Sequence, residues 1–337
     1  MNDSVFMERC ISLAKKGLGY TYPNPMVGCV IVYKGKIIAE GWHKKAGQSH
    51  AEREAILKVD DPSILAQSTL YVNLEPCDHQ GKTPPCSDLI VAMKIPRVVI
   101  GCLDQNLKVL GKGVRKLKDA GCEVKTGVLE IESKNLNKRF FSFHKNKRPY
   151  IILKWAESAD GFIAPKVSKG SYWMTSPLSK QRVHQWRSQE QSIMIGVNTA
   201  LSDNPKLNTR LWVGNHPLAI VIDPNNKLKK MESAYYLNNK KTFLLNAETC
   251  KMDRRGKQIP IDEIMSALYQ KNLQSVIIEG GSKTLQYFID ANLWDEVRIF
   301  LVKKVLKKGV KAPRFQKDSS SKPTVIEEDQ LLTIYRD

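Results

Sequence analysis

The chain has 337 residues, 42% of them hydrophobic and 26% charged, which is typical of globular protein and long enough for two domains. Its formal net charge is +19, but the basic residues are spread over both halves without an arginine-rich tail or a basic–aromatic platform, so nucleic-acid binding is not favoured. The N-terminus lacks a signal-peptide pattern and no apolar run could span a bilayer, so we expect a cytoplasmic protein without a membrane partner.

The first half of the chain alternates predicted helices and strands. An amphipathic helix is expected over 4–16, followed by a hairpin over 28–40 that turns at Lys34-Gly35. The later elements are expected as helices over 50–59, 86–93 and 112–119 and strands over 70–74, 97–103 and 122–126. This alternation predicts a sheet covered by helices, in which ligands bind beyond the strand ends.

Two short stretches of this half carry metal-binding chemistry. His50-Ala51-Glu52 begins a predicted helix, Glu75-Pro76-Cys77 follows a strand, and Pro84-Pro85-Cys86 begins the next helix. One imidazole and two thiols suit a catalytic Zn²⁺, and a glutamate two residues after the histidine is typical of zinc-dependent nucleobase deaminases. Here eight residues separate the two cysteines, where that pattern has two.

We therefore predict Zn²⁺ on His50, Cys77 and Cys86, with Glu52 as the residue that moves protons. The helix N-terminus at Cys86 is expected to favour its thiolate. The alternative is that Glu52 is an ordinary surface residue of its helix. The other five cysteines occupy apolar surroundings, and an odd total of seven argues against a disulfide framework.

The second half is again predicted to alternate strands and helices, after a connector over 128–148, in which 129–143 is expected to be helical, and a boundary near residue 146. Strands are expected over 150–156, 192–197, 218–223, 242–245, 275–279 and 297–302, and helices over 175–188, 261–271 and 283–291. In Ile277–Thr284 a strand enters Gly280-Gly281 and then a helix, a turn suited to holding an anion. A plain strand-to-helix turn would explain the same residues.

The motifs together resemble the cytidine deaminase-like superfamily and, within it, the bifunctional riboflavin-biosynthesis deaminase/reductases. The resemblance rests on Pro23-Asn24-Pro25, Val27-Gly28-Cys29-Val30, His50-Ala51-Glu52 and above all the segment from Glu75 to Cys86, whose wide cysteine spacing encloses Gly81-Lys82-Thr83-Pro84-Pro85. It implies an α/β fold of two domains, a cytidine deaminase-like α/β/α sandwich over 1–146 and a dihydrofolate reductase-like domain over 147–337.

The resemblance also implies the activity. The first domain would remove the 2-amino group of 2,5-diamino-6-ribosylamino-4(3H)-pyrimidinone 5′-phosphate by zinc-hydroxide hydrolysis, and the second would reduce the ribosyl side chain to ribityl with NADPH. Substrate-binding residues carried over to the first domain are Asn24, His79 and Lys82. A solvated loop lysine is the alternative for Lys82.

In the second domain the resemblance extends through the reductase motifs in their usual order. The implied cofactor-binding residues are Ala156, Trp173, Thr199, Asp203, Gly281, Ser282, Lys283 and Thr284. The implied substrate-binding residues are Ser171, Arg187, Leu207, Arg210 and Glu279. Arg187 and Arg210 would bind the 5′-phosphate, and Lys154 would orient the imine or donate a proton, the alternative being a structural salt bridge.

Some positions depart from the family pattern. Phe162 replaces a usual basic residue, Gly170 replaces a usual acid, and Gln105 stands where proline is usual. Two other functions stay open: an RNA-directed deaminase, which would need closer cysteines and clustered charge, and a deaminase whose second domain only binds nucleotide. The family is generally oligomeric, which implies a homo-oligomer.

Overall fold

The computed structural model describes residues 2–80, 84–105, 110–166, 172–230, 242–317 and 322–336. The chain divides into two compact units, residues 1–146 and 147–337. Among the described residues, no helix has the length and apolar character needed to cross a membrane.

The first unit is a five-stranded sheet between two layers of helices. Its helices are α1 (Asp3–Lys15), α2 (Ala51–Ile56), α3 (Cys86–Ala92), α4 (Lys112–Asp119), α5 (Glu130–Leu136) and α6 (Lys138–Asn146). Its strands are β1 (Gly28–Tyr33), β2 (Lys36–Trp42), β3 (Thr69–Leu74), β4 (Arg97–Cys102) and β5 (Glu123–Thr126). The sheet order is β2-β1-β3-β4-β5, with β3, β4 and β5 parallel and β1 antiparallel to both of its neighbours, β2 and β3.

Alternate residues of the central strands enter two separate cores, as the period of two in a strand requires. Val30, Val32, Tyr71 and Val99 pack with α1 on one face. Cys29, Ile31, Leu70, Val72, Val98 and Ile100 pack with α2, α3 and α4 on the other. The sheet is therefore covered on both faces, and the carboxyl end of β3 meets the first turns of α2 and α3.

The segment after β5 is part of this unit and not a connector, although it is helical over most of the range predicted to be helical. It forms α5 and α6, and Phe140 and Phe141 pack against Leu74 and Cys102. The side chain of Asn137 also holds both backbone groups of Met26, by bonds of 2.8 and 2.9 Å. This stretch contributes buried apolar area and polar contacts to the first unit. The sequence did not indicate that contribution because the stretch is rich in polar residues.

The second unit is an eight-stranded sheet with helices on both faces. Its helices are α7 (Pro177–Gln189), α8 (Val197–Asp203), α9 (Ile261–Gln270) and α10 (Ser282–Asp290). Its strands are β6 (Tyr150–Ser158), β7 (Phe162–Pro165), β8 (Ser192–Gly196), β9 (Leu218–Ile222), β10 (Thr242–Leu245), β11 (Ser275–Ile278), β12 (Glu296–Val302), β13 (Gly309–Lys311), β14 (Thr324–Ile326) and β15 (Asp329–Tyr335). The main sheet has the order β10-β9-β8-β11-β6-β12-β15-β14, while β7 and β13 form a separate two-stranded ribbon.

Six neighbouring strands of the main sheet, from β10 to β12, are parallel, and β15 and β14 close it in antiparallel pairing. The parallel strands read as continuous apolar runs because helices bury both of their faces. Their carboxyl ends lie at one edge, where α8 begins directly after β8 and α10 soon after β11. The prediction of two α/β domains is confirmed.

Candidate metal centre and cofactor cavity

Three elements of the first unit bring the predicted metal ligands together. His50 is the N-cap residue of α2, Cys77 lies three residues after β3, and Cys86 is the first residue of α3. Their ligand atoms all lie within 4.8 Å of one another, with His50 Nδ1 at 3.5 Å from Cys77 Sγ and 3.4 Å from Cys86 Sγ. One nitrogen and two sulfur donors are the protein ligands of a catalytic zinc ion, whose fourth ligand is water.

The thiolate of Cys77 is stabilised by its neighbours. Hydrogen bonding from the Cys86 side chain, together with the His50 ring, lowers the pKa of the Cys77 thiol to about 4. The Cys86 backbone amide also donates to Cys77 Sγ at 3.4 Å. The same pairing and burial raise the pKa of the Cys86 thiol. The helix N-terminus thus acts on Cys77 through the first amide of α3.

Glu52 lies in the first turn of α2, and only 3% of its surface is exposed. Burial, with the nearby Cys77, raises the pKa of its carboxyl group to about 7. A carboxyl group with this pKa exchanges a proton readily near neutral pH. Its burial also excludes the alternative that Glu52 is a surface residue.

The loop that carries Cys77 is held by a buried carboxylate and a glycine. Glu75 accepts hydrogen bonds from the backbone amides of Asp104, Gly111 and Val114 at 3.1–3.2 Å. A Cβ atom on Gly113 would lie 2.1 Å from the carbonyl oxygen of Pro76, so only glycine lets α4 pack this closely. Glu75 was part of the sequence motif, but the motif did not predict this role.

The predicted substrate residues of this unit differ in their surroundings. The half-buried Asn24 pairs through Nδ2 with Nε2 of His43 at 3.0 Å. Its loop is fixed because Asn73 and Asn137 both bind the backbone of Met26. His79 is exposed, and Lys82 lies outside the described residues.

The second unit contains a cavity of about 550 Å³ at the carboxyl edge of its sheet. Most residues that the resemblance implied for the reductase line this cavity. They are Lys154, Ala156, Trp173, Arg187, Thr199, Asp203, Leu207, Glu279, Gly281, Ser282, Lys283 and Thr284. Arg210 is exposed and is not among the lining residues, and Ser171 lies outside the described part of the chain.

A buried carboxylate between two cations forms one wall of the cavity. Arg187 donates from Nε and Nη2 to the two oxygens of Glu279 at 3.0 and 2.7 Å, and Lys154 Nζ lies 3.7 Å from Glu279 Oε2. Burial would raise the pKa of Glu279, but the two cations outweigh it and lower that pKa to about 2. Burial lowers the pKa of Lys154.

Three glycines bring two strand–helix turns together beside the cavity. A Cβ atom on Gly196 would lie 2.3 Å from Thr284 Oγ1, and one on Gly280 would lie 2.7 Å from a methyl carbon of Ile195. Gly281 has φ +69°, a conformation that side chains rarely adopt. The turn before α10 therefore presents bare backbone beside α8, as an anion-binding turn requires.

Sequence reasoning missed several parts of these sites. The ribbon of β7 and β13 supplies Ile163, Ala164 and Val310 to the cavity, but strands of three or four residues are too short to show a period. Helix α8, which carries Thr199 and Asp203, was not predicted either. The buried His43, which is 2% exposed, was also missed. Its place at the end of a strand, close in sequence to the metal motif, could have indicated it.

Two family models match the chain. Residues 1–102 match the cytidine and deoxycytidylate deaminase zinc-binding region, and residues 149–331 match the RibD C-terminal domain. Among curated proteins, the riboflavin biosynthesis protein RibD of Aquifex aeolicus is 39% identical over 321 residues, which are 91% of this chain and 89% of that protein. The RibD of Escherichia coli is 33% identical over 330 residues, again covering 91% and 89%.

Solved structures of similar proteins cover nearly the whole chain. The diaminohydroxyphosphoribosylaminopyrimidine deaminase/5-amino-6-(5-phosphoribosylamino)uracil reductase of Thermotoga maritima is 36% identical, with a TM-score of 0.84 and 99% and 98% of the two chains covered. RibD of Acinetobacter baumannii is 30% identical, with a TM-score of 0.85 and the same coverage. The likeness thus includes both units and both candidate sites.

Proposed function

The chain belongs to the RibD family of bifunctional deaminase/reductases of riboflavin biosynthesis, and we propose that its two sites are the His50-Cys77-Cys86 centre and the cavity of the second unit. The first would deaminate 2,5-diamino-6-ribosylamino-4(3H)-pyrimidinone 5′-phosphate with Zn²⁺. The second would reduce the ribosyl chain of the product to ribityl with NADPH, giving 5-amino-6-ribitylamino-uracil 5′-phosphate.

The observation that supports the proposal most is the buried Glu52 carboxyl group beside one histidine and two cysteines on converging elements. Zinc held by these three ligands supplies a water molecule of lowered pKa. Glu52 then accepts a proton from the attacking water and returns protons to the departing amine. Its pKa near 7 suits both steps, and the buried position keeps bulk water from exchanging with it.

In the second unit we assign one set of cavity residues to the cofactor and another set to the substrate. NADPH supplies a hydride when it is bound, and the turn from Gly281 to Thr284 offers backbone amides to its phosphates. Glu279 and the buried cations Lys154 and Arg187 face the substrate side. Because burial lowers the pKa of Lys154, this ammonium group gives up a proton more easily than an exposed lysine.

The proposed reductase role of the second unit is favoured over simple nucleotide binding because Lys154, Arg187 and Glu279 bury charges at the cavity wall. A module that only binds nucleotide has no need for this costly arrangement. The homo-oligomeric state and the lack of a nucleic-acid partner stay predictions.

The substitution Glu52→Gln tests the assignment of the deaminase site. We expect deamination to fall by about 10³-fold or more, because the amide cannot accept the proton, while zinc stays near one per chain. Reduction of the deaminated intermediate by NADPH should be unchanged. Loss of zinc from the variant, or deamination at the normal rate, would refute the role of Glu52.

A further inference from the structure

The side chain of His43 lies between the predicted substrate residue Asn24 and the metal ligand His50. His43 is 2% exposed at the end of the β1–β2 hairpin. Its Nδ1 is 3.0 Å from the carbonyl oxygen of Ser49, and its Nε2 is 3.0 Å from Asn24 Nδ2. Its ring stands edge-on to the His50 ring, with the centroids 5.5 Å apart.

These contacts determine which ring nitrogen of His43 carries the proton. The Ser49 carbonyl oxygen can only accept a hydrogen bond, so Nδ1 must be the donor. His43 is 2% exposed, and burial favours the neutral form of an imidazole over the charged form. In a neutral imidazole with a proton on Nδ1, Nε2 has a lone pair and can only accept.

The tautomer of His43 in turn determines the orientation of the Asn24 amide. Only the NH₂ group of Asn24 can donate to the Nε2 lone pair, so the carbonyl oxygen Oδ1 must point elsewhere. Among the described residues, none donates a hydrogen bond to this oxygen. The oxygen and nitrogen of an asparagine amide are similar in shape and are assigned from their hydrogen bonds. Here the backbone carbonyl of Ser49, acting through His43, determines that assignment.

We propose that His43 is a positioning residue of the deaminase site, which makes Asn24 present its carbonyl oxygen to the substrate and so selects a substrate group that donates N–H or O–H. This inference rests on the proposed deaminase function. It concerns the choice of substrate, because an analogue with an acceptor at that place would face another acceptor.

A double-mutant cycle tests whether His43 acts through Asn24. We expect His43→Ala and Asn24→Ala each to lower kcat/KM for deamination about tenfold, mainly through KM, as the loss of one oriented hydrogen bond predicts. The double variant should lose about tenfold as well, because both changes remove the same contact. A loss of about a hundredfold in the double variant would show independent roles and would overturn the proposal.

The variant His43→Gln serves as the conservative rescue. The glutamine amide carries a donor and an acceptor at a spacing similar to that of the two imidazole nitrogens, so it can bridge Ser49 and Asn24 in the same sense. We expect His43→Gln to recover most of the activity that His43→Ala loses. Zinc should stay near one per chain in all variants, and loss of zinc would assign His43 to metal retention and contradict the proposal.

Two further measurements separate this inference from the proposed function. Hydrogen exchange in residues 1–146 of the same variants reports whether the first unit is folded. If the wild-type protein deaminates no pyrimidine phosphate, the proposed function fails, while ¹⁵N NMR of labelled histidine still reads the His43 tautomer, assigned by difference from His43→Gln. We expect a neutral ring protonated at Nδ1, and a ring protonated at Nε2 would overturn the inference.

Discussion

Glu279 is the residue on which the charge balance of the second site depends. Its carboxylate is buried, and it accepts two hydrogen bonds from Arg187 while Lys154 lies within ion-pair distance. The low pKa of Glu279 keeps its carboxylate ionised beside the two basic side chains at neutral pH.

Removal of Arg187 should therefore damage both stability and reduction. In Arg187→Ala, Glu279 stays buried with Lys154 alone, and we expect a cost of about 3 kcal/mol in unfolding free energy and a clear loss of affinity for the deaminated phosphate. Deamination should be spared. Arg182→Ala, an exposed change on the same helix, is the matched control.

The pH dependence of this variant gives a second check. In the wild type the folded-state pKa of Glu279 is depressed to about 2, so its contribution to stability is full above its unfolded value near 4.5 and is lost as pH falls through about 2. Without Arg187, burial raises that pKa. The stability gap between variant and wild type should then narrow as pH is lowered from about 7 to about 5, and a constant gap in denaturant unfolding would contradict this account.

In the first unit, Asp3 is an acidic side chain held by basic residues, as Glu279 is in the second. It accepts hydrogen bonds from Tyr71, Arg97 and Lys125, and the hydrogen bond from Arg97 holds the pKa of its carboxyl group well below the usual range. Asp3→Asn should lower the free energy of unfolding of the first unit by about 2 kcal/mol at neutral pH. Hydrogen exchange in residues 1–146 should become correspondingly faster. Since the wild-type contribution disappears only as pH falls below the ordinary value of 3.8, the difference should shrink in acid. Glu8→Gln, an exposed change on α1, should leave exchange unaltered.

Helix α4 fixes the metal-binding loop through its closest contact, that of Gly113 with the Pro76 carbonyl. Gly113→Ala should force the helix away from the loop, with an expected loss of about 1–3 kcal/mol in stability and weaker zinc retention against a chelator. Lys118→Ala, on the exposed side of the same helix, provides the control. Equal zinc retention in the two variants would show that α4 does not hold Cys77 in place.

The elements that could be predicted from sequence are those with strong periodicity or a cap. Helix α3 begins at Cys86, as predicted, and α7 (Pro177–Gln189) lies within two residues of the predicted range 175–188 at both ends. The central strands were predictable because their apolar runs are buried on both faces. The metal ligands were predictable because zinc restricts the donor types and because two of them begin helices.

The elements that could not be predicted depend on contacts distant in sequence. The segment of α5 and α6 was predicted to be helical, but its place in the core of the first unit was not, because Asn137 and Phe140 meet residues far away along the chain. The His43–Asn24 pair joins residues on different elements, and no spacing rule relates them. The lower pKa of Cys77 arises from the mutual hydrogen bonding of the two thiols, which a helix-dipole argument at Cys86 alone omits.

At the scale of the whole molecule, each unit has its own cores and its own site. The residues proposed for deamination all lie in the first unit, and the described residues proposed for reduction all lie in the second. Damage to one site should therefore leave the chemistry of the other intact. The product of the first reaction is the substrate of the second, so the two activities form one sequence.

The most direct test of this account supplies purified, zinc-loaded protein with 2,5-diamino-6-ribosylamino-4(3H)-pyrimidinone 5′-phosphate and NADPH and measures both ammonia and NADPH. We expect one ammonia released and one NADPH oxidised for each substrate consumed, with ribityl product. Ammonia release without NADPH oxidation would contradict the reductase assignment of the second unit, and release of neither ammonia nor NADP⁺ would contradict both.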